Sequence, residues 1–305
     1  MVLYIRTNMK PRVIVILGPT ATGKSNLAVQ IAKKYNGEII SADSRQVYTG
    51  LNIGTGKITK KEMQGVPHHM LDVANPKKRY DISTWQKETK KIISNIYSRN
   101  KLPIICGGTG FYIQSIVENF ILPKVPPNKK LREKLEKKSA TELFEILKKL
   151  DLQRAKTIEK ENPVRLVRAI EIATALGGVP SLDRVKSQSY ECLQIGLTLP
   201  DEKLKERIKI RLEKRLETGM LAEAKKLHQQ GLSWKRMFEL GLEYRYEALL
   251  LQNKISKTDF VEKLNTEIWH YAKRQITWFK RDKQIHWFSP TQVREIEKVV
   301  KNFLD

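Results

Sequence analysis

Val13-Ile14-Val15-Ile16-Leu17-Gly18-Pro19-Thr20-Ala21-Thr22-Gly23-Lys24-Ser25 decides the reading of this chain. Its apolar opening is mostly β-branched and does not alternate with polar residues, as in a parallel strand buried on both faces. Gly18 to Ser25 then follows the pattern GxxxxGK[ST] in full. Lys24 to Tyr35 continue as a helix, with Leu27, Ala28, Ile31 and Ala32 on one face and Asn36-Gly37 as its stop. Between a strand and a helix, such a loop wraps an anion. Its backbone N–H groups turn inward, Lys24 adds a point charge, and Ser25 offers a hydroxyl to Mg²⁺. The motif specifies a di- or triphosphate group, bound ATP among the options, but not the fate of that group.

Reading outward, Glu38 to Ser41 form a second short strand, which completes a βαβ unit and an α/β fold with a parallel sheet. By that topology the carboxyl end of the second strand lies beside the phosphate loop, and Asp43 follows it. Asp43 has three readings: a general base, a water-mediated Mg²⁺ ligand, or a cap on the next turn. Gly50 to Gly65 read as an irregular loop, and Ile82 to Tyr97 as a helix. Leu102 to Cys106 are a third strand, followed by Gly107-Gly108-Thr109-Gly110 and a helix from Phe111. Open α/β sheets bind ligands at such strand ends. Thr109 therefore reads either as a ligand neighbour or as part of a tight turn.

After Leu122 the character changes, with Pro123, Pro126 and Pro127 followed by Lys-rich helical segments to Leu150 and again from Asn162 to Leu176. Gly177-Gly178-Val179-Pro180 ends them. Residues 120–190 read as a mostly helical insertion in a core made of 1–119 and 191–305. Cys192 to Leu197 return to the sheet, Pro200 opens a further helix, and the tail is helical apart from a short strand at Ile285–Phe288. Arg207 and Arg211, four apart on a helix, share one face, which suits either a diphosphate or plain solvation. His270 to Arg281 interleave basic and aromatic residues, fitting phosphate contacts with base stacking or a helix with Trp278 in its core.

The 305 residues carry 57 Lys and Arg against 33 Asp and Glu, a net charge of +24. That excess favours a polyanionic partner, nucleic acid first, against a merely Lys-rich surface. The two cysteines, Cys106 and Cys192, lie far apart with no CxxC, so neither a zinc site nor a disulfide framework is expected. No run of about 18 apolar residues exists to span a membrane. Residues 1–12 lack the features of a signal peptide, so a cytoplasmic protein is expected, with Met9 a second candidate start beside Met1.

Together these stretches resemble the tRNA dimethylallyltransferase family, also called tRNA isopentenyltransferases. The resemblance is colinear over nearly the whole chain. It takes in Gly18 to Ser25, Ile40-Ser-Ala-Asp-Ser-Arg-Gln-Val-Tyr48, Asn52-Ile-Gly-Thr-Gly56 and Val66-Pro-His-His69. It continues through Gly107-Gly-Thr-Gly-Phe-Tyr112, Arg165-Leu-Val-Arg-Ala-Ile-Glu171 and Ala272-Lys-Arg-Gln-Ile-Thr-Trp-Phe279.

The resemblance implies a P-loop NTPase-like core with a helical insertion. It also implies transfer of a dimethylallyl group from dimethylallyl diphosphate to the N6 amine of the adenine 3′ of a tRNA anticodon, using Mg²⁺; a monomer is expected. It makes Asp43 the general base and puts Thr109 beside the channel where amine and allyl carbon meet. Gly18, Thr20, Ala21, Thr22, Gly23, Lys24 and Ser25 hold the diphosphate, with Ser25 on the metal and Arg207 and Arg211 as further diphosphate ligands. Asp43, Ser44, Arg45 and Gln46, then Val164, Arg165 and Arg168, then Lys273 and Arg274, match regions that touch the anticodon stem-loop.

The chain departs from the family pattern in four places. Gly54-Thr-Gly-Lys-Ile58 stands for Gly-Thr-Ala-Lys-Pro, and Leu240-Gly-Leu-Glu-Tyr244 for Ile-Gly-Tyr-x-Glu. Asp151-Leu152 stands for Asp-Pro, and Asn162-Pro163 for Asn-Asp. None touches Asp43 or the phosphate loop in sequence, so these departures are expected to bear on tRNA contacts. Three rivals remain at this level: prenyl transfer to a free adenine nucleotide, a nucleotide kinase, and a non-enzymatic RNA-binding regulator.

Overall fold

A computed structural model describes residues 10–180 and 189–305; Met1 and Met9 fall outside them. The chain divides into two units, Met1–Glu118 with Gln188–Asp305, and Asn119–Ser187. The first unit begins β1 (Arg12–Leu17), α1 (Lys24–Lys34), β2 (Gly37–Ala42), α2 (Lys60–Met63), β3 (His68–His69), α3 (Ile82–Ser98), β4 (Leu102–Gly107) and α4 (Gly110–Val117). The second holds α5 (Lys129–Leu135), α6 (Ala140–Leu150), α7 (Leu152–Thr157) and α8 (Pro163–Leu176). The first resumes with β5 (Glu191–Leu197), α9 (Asp201–Glu217), α10 (Met220–Gln229), α11 (Trp234–Leu240), α12 (Leu242–Leu251), α13 (Lys257–Phe279), β6 (His286–Phe288) and α14 (Val293–Leu304).

The strands form one sheet in the order β3-β2-β4-β1-β5-β6, every pair parallel. Because successive side chains point to opposite faces, the apolar run of β1 feeds two cores. Val13, Val15 and Leu17 pack with Ile40, Ile105 and Trp85 on one face. Ile14 and Ile16 pack with Leu27, Ile31 and Ile195 on the other. Each buried Val, Leu or Ile contributes about 1.5–3 kcal/mol over its exposed state.

The βαβ expectation needs one correction. β2 does not lie against β1. β4 sits between them, with Gly107 paired to Leu17 on one side and Ala42 on the other. Gly107 makes this three-strand level possible, since a Cβ there would stand 2.2 Å from the Ala42 carbonyl oxygen. Asp43 thus reaches the phosphate loop across the end of β4, not along its neighbour.

Two small elements escape the period-based reading. The Gly50–Gly65 loop contains α2, made by a capping box in which Thr59 accepts the Glu62 amide and Glu62 accepts the Thr59 amide. It buries no residue, so it leaves no hydrophobic period. β3 is a two-residue edge strand, too short to show alternation.

In the second unit, Leu143, Leu147, Leu166 and Ile170 form the core. Asn162 caps α8 by accepting the Arg165 amide, Pro163 opens it, and Gly177 closes it at φ 78°. Asn162-Pro163, a departure from the family pattern, is therefore a good helix start. Among the described residues, no helix is long and apolar enough to cross a membrane.

Candidate functional site

The phosphate loop has the shape that its glycines predict. Gly18 is at φ 133°, and a Cβ there would lie 2.3 Å from the Leu197 carbonyl oxygen, so only glycine lets β1 turn so close to β5. Ala21 and Gly23 are left-handed, at φ 63° and 91°. Thr22 is fully buried and braces the loop by donating its hydroxyl to the Pro19 carbonyl at 2.9 Å. Gly23 begins α1 with no side-chain cap, which leaves the first-turn amides for an anion. Lys24 donates to the Pro19 carbonyl. Burial pushes its ammonium down to about 8, against the pull of Cys106 and Asp43 and with the push of Arg211. Burial likewise pushes the Cys106 thiol up to about 11.

Ser25 is exposed at the start of α1, and no hydrogen bond to its hydroxyl exists among the described residues. No group of three or more His, Cys, Asp or Glu residues among them is arranged to hold a metal. A hard cation that takes one hydroxyl from the protein and its other ligands from phosphate and water suits this donor set; Mg²⁺ is bound in that way.

The two oxygens of Asp43 are used unequally. Its Oδ1 accepts the Arg45 amide at 2.8 Å and the Gln46 amide at 3.3 Å, so the turn-capping reading is realised. Its Oδ2 accepts no hydrogen bond among the described residues. Thr109 stands next to it: the Thr109 amide donates to the Ala42 carbonyl at 3.0 Å, and the Ser44 amide donates to Thr109 Oγ1 at 3.0 Å. That leaves the Thr109 hydroxyl proton free to point elsewhere.

The two arginines part company. Arg211 is turned inward, donating from Nη1 to Thr20 Oγ1 at 3.1 Å and from Nη2 to the Gly56 carbonyl at 2.9 Å. Burial pushes its guanidinium down, with Arg215 adding to the effect. Arg207 is exposed, with no hydrogen bond or ion pair among the described residues. Their common helix face is therefore split between loop and solvent one turn apart. Gly56, one of the departures, is in this contact, since a Cβ there would meet Arg211 Nη2 at 2.2 Å. That departure lies against Arg211 and, through it, against Thr20 of the phosphate loop.

Sequence reading missed Gln275. Its Oε1 accepts the Thr20 amide at 2.9 Å and its Nε2 donates to the Gly108 carbonyl at 2.9 Å, so one side chain joins both glycine loops. Its position in the buried stripe Phe260, Leu264, Ile268, Ala272, Gln275, Phe279 of α13 was the available signal: a polar residue on an apolar face. Trp278, three residues on, is half-buried, covers Gly110 and lies edge-on to Phe111 at 6.2 Å. Lys273 and Arg274 are exposed, over the rings of Trp269 and Tyr271 at 5.9 and 6.0 Å. The tail thus has the form of a packed helix, with Gln275 and Trp278 facing inward and the cations facing outward.

Val164, Arg165 and Arg168 belong to the second unit. Val164 is 78% exposed, although Leu166, Val167 and Ile170 of the same helix are buried. Arg165 is exposed and pairs with Glu159 at 3.0 Å. Arg168 is held from within: it donates to Glu171 and to the Val125 carbonyl. Glu171, buried, also takes Arg132 and the Asn128 amide, and despite its burial these partners hold its carboxyl at about 2.

A parallel sheet with a glycine loop at the head of α1, a lysine and an arginine over it, and an open carboxylate two strands away define a protein of the P-loop class. The comparisons narrow the class. A family model described as IPP transferase matches residues 46–282. A tRNA dimethylallyltransferase 2 of Treponema denticola is 42% identical over 282 residues, covering 91% of this chain and 94% of the relative. The crystal structure of a tRNA isopentenylpyrophosphate transferase from Bacillus halodurans is similar at TM-score 0.73 and 32% identity, covering 97% of each chain. A eukaryotic dimethylallyltransferase acting on tRNA is similar at TM-score 0.79 and 25% identity, with 96% of this chain and 80% of that one covered. The chain belongs to the IPP transferase family of tRNA dimethylallyltransferases.

Proposed function

We propose that the chain transfers a dimethylallyl group from dimethylallyl diphosphate to the N6 amine of the adenine 3′ of the anticodon in tRNA. One observation carries the assignment of parts: the free Asp43 Oδ2 lies at the same strand-end level as Thr109, across β4 from the Lys24–Arg211 cradle.

The chemistry follows from the donors. The C–O bond of an allylic diphosphate breaks when charge on the leaving oxygens is stabilised. First-turn amides of α1, Lys24 and Arg211 supply that stabilisation. Ser25 would be the protein ligand of a Mg²⁺ ion, which would supply Lewis-acid stabilisation of the same charge. The adenine amine is a weak nucleophile because its lone pair is shared with the ring. As its nitrogen bonds to the allyl carbon, Asp43 Oδ2 takes the N–H proton and pyrophosphate leaves. The Thr109 hydroxyl, whose oxygen already accepts the Ser44 amide, donates its proton toward the reacting groups.

The adenine must leave the anticodon stack to arrive there, at a cost of a few kcal/mol. The net charge of +24 supports recovery of that cost through phosphate contacts. Arg45 and Gln46 beside Asp43, Lys273 and Arg274 on α13, and Val164 and Arg165 on α8 are the contacts assigned to the anticodon stem-loop. Arg168 acts one step back, through Glu171. The enzyme works as a monomer in the cytoplasm on this reading.

Competition tests the phosphate site. Inorganic pyrophosphate should compete with dimethylallyl diphosphate, and ATP at the same concentration should not. Competition by ATP with release of ADP would favour the kinase reading instead.

A further inference from the structure

Glu223, on α10, has no place in the chemistry above, yet its carboxylate is among the most heavily used in the molecule. Its Oε2 accepts the Asn52 amide at 3.1 Å and the Ile53 amide at 2.8 Å, and its Oε1 accepts the Gly54 amide at 3.0 Å. The Tyr244 hydroxyl donates to the same Oε1 at 2.9 Å. Three successive backbone N–H groups converging on one carboxylate form a nest, a shape that a charged acceptor holds and a neutral one holds poorly.

The held loop leads to the phosphate site. Asn52 and Gly56 are joined by a tight turn in which the Gly56 amide donates to the Ile53 carbonyl and the Lys57 amide to the Asn52 carbonyl. The Gly56 carbonyl then accepts Arg211 Nη2, and Arg211 Nη1 reaches Thr20. Arg215, one turn on, ties the same loop through the Gly54 carbonyl at 2.7 Å and is itself held by Glu243 at 2.9 Å. Gly54 is packed under Tyr244, whose hydroxyl would stand 2.7 Å from a Cβ at that position. Two of the four departures from the family pattern, at Gly56 and at Tyr244, fall within this one assembly.

We propose that Glu223 is a positioning residue for the diphosphate site: by fixing loop 52–56 it fixes the carbonyl that aims Arg211 at Thr20. The proposal rests on the reading of Arg211 as a diphosphate ligand. A guanidinium with five donors and a long stem binds a diphosphate well only if part of its fork is already held in place. The Gly56 carbonyl holds that part, and Glu223 holds the carbonyl's loop. Loss of the anchor should weaken binding of the donor and leave binding of tRNA unchanged.

The test is a double-mutant cycle on the full chain with Glu223→Gln and Arg211→Gln. It reads KM for dimethylallyl diphosphate, inhibition by inorganic pyrophosphate, and KM for tRNA. Glu223→Gln keeps the side-chain shape but sets an amide among N–H donors. It should raise the donor KM and weaken pyrophosphate inhibition by about tenfold with tRNA KM unchanged, and add little further in the Arg211→Gln background. An unchanged donor KM, or the same factor in both backgrounds, overturns the anchor and leaves Arg211 in place. If Arg211→Gln alone leaves donor KM and pyrophosphate inhibition unchanged, the diphosphate reading of Arg211 fails and the anchor with it. Should Glu223→Gln not fold, Tyr244→Phe removes one donor to the same carboxylate. It should shift the donor KM in the same direction by about threefold, again only when Arg211 is present; no shift overturns the proposal.

Discussion

Gln275 holds the Thr20 amide at 2.9 Å with the same side chain that donates to the Gly108 carbonyl. Thr20 belongs to the phosphate loop and Gly108 to the loop that carries Thr109, beside Asp43. Transfer needs the two sides in register, and a misplacement of about 1 Å can cost roughly a hundredfold in rate. Gln275→Ala should lower kcat by about that factor while donor KM and tRNA KM move by less than about threefold. Steady-state kinetics on folded protein, checked by melting, decide it. An unchanged kcat would show that the loops keep their register without Gln275.

Asp43→Asn separates the two tasks of that side chain. The variant keeps an oxygen for the Arg45 and Gln46 amides, so the turn stands. It cannot take the amine proton. Single-turnover transfer should slow by about 10²–10⁴-fold, with tRNA affinity preserved and still falling steeply with salt. Full activity in Asp43→Asn would remove the base assignment.

Lys24 gives the site a pH signature. Burial holds its ammonium at about 8, below the 10.5 of a free lysine, so the site without its ligand loses a positive charge as pH rises through 8. A bound diphosphate favours the charged form and raises that value. Binding near pH 8.5 should therefore take up a proton, and affinity should fall as pH climbs further. Calorimetry of pyrophosphate binding in buffers of different ionisation enthalpy measures the uptake. Heats independent of buffer would mean that Lys24 is already charged in the empty site.

Glu247, fully buried with neither carboxyl oxygen hydrogen-bonded among the described residues, sits near Glu243 and Glu223. Burial, and then those two carboxylates, push its carboxyl well above 4.5. A raised carboxyl favours folding below its unfolded value and loses that contribution as pH climbs toward the folded one. Glu247→Gln is neutral at every pH and escapes this loss. Its stability advantage over the parent should widen with pH above 4.5, by up to about 1.4 kcal/mol per pH unit. Melting temperatures of both proteins between pH 5 and 8 test this, and a gap that stays constant would contradict it.

Much of this was legible in the chain. The run Val13–Leu17 with Gly18 to Ser25 announces a buried parallel strand and an anion loop, because both are local: one periodicity and one set of backbone angles. Strand order was not, since Gly107 reveals its place between Leu17 and Ala42 only when three strands meet. Arg207 and Arg211 could not be ranked because helix spacing fixes a shared face, not which end of that face meets the loop. Gln275 shows in the sequence only as a polar residue on an apolar helix face, and Glu223 does not show at all. Their partners are backbone groups far away in sequence, and a backbone amide has no identity to read. The cap and base readings of Asp43 look like rivals in the sequence, but the cap occupies Oδ1 alone and leaves Oδ2 without a hydrogen bond among the described residues.

The most direct measurement is mass analysis of nucleosides from tRNA incubated with the protein, Mg²⁺ and dimethylallyl diphosphate, beside Lys24→Ala and Asp43→Asn. The account predicts N6-isopentenyladenosine at the position 3′ of the anticodon with the parent protein, and little or none with either variant. Unmodified tRNA with the parent, together with prenylated AMP when AMP is the acceptor, would contradict it.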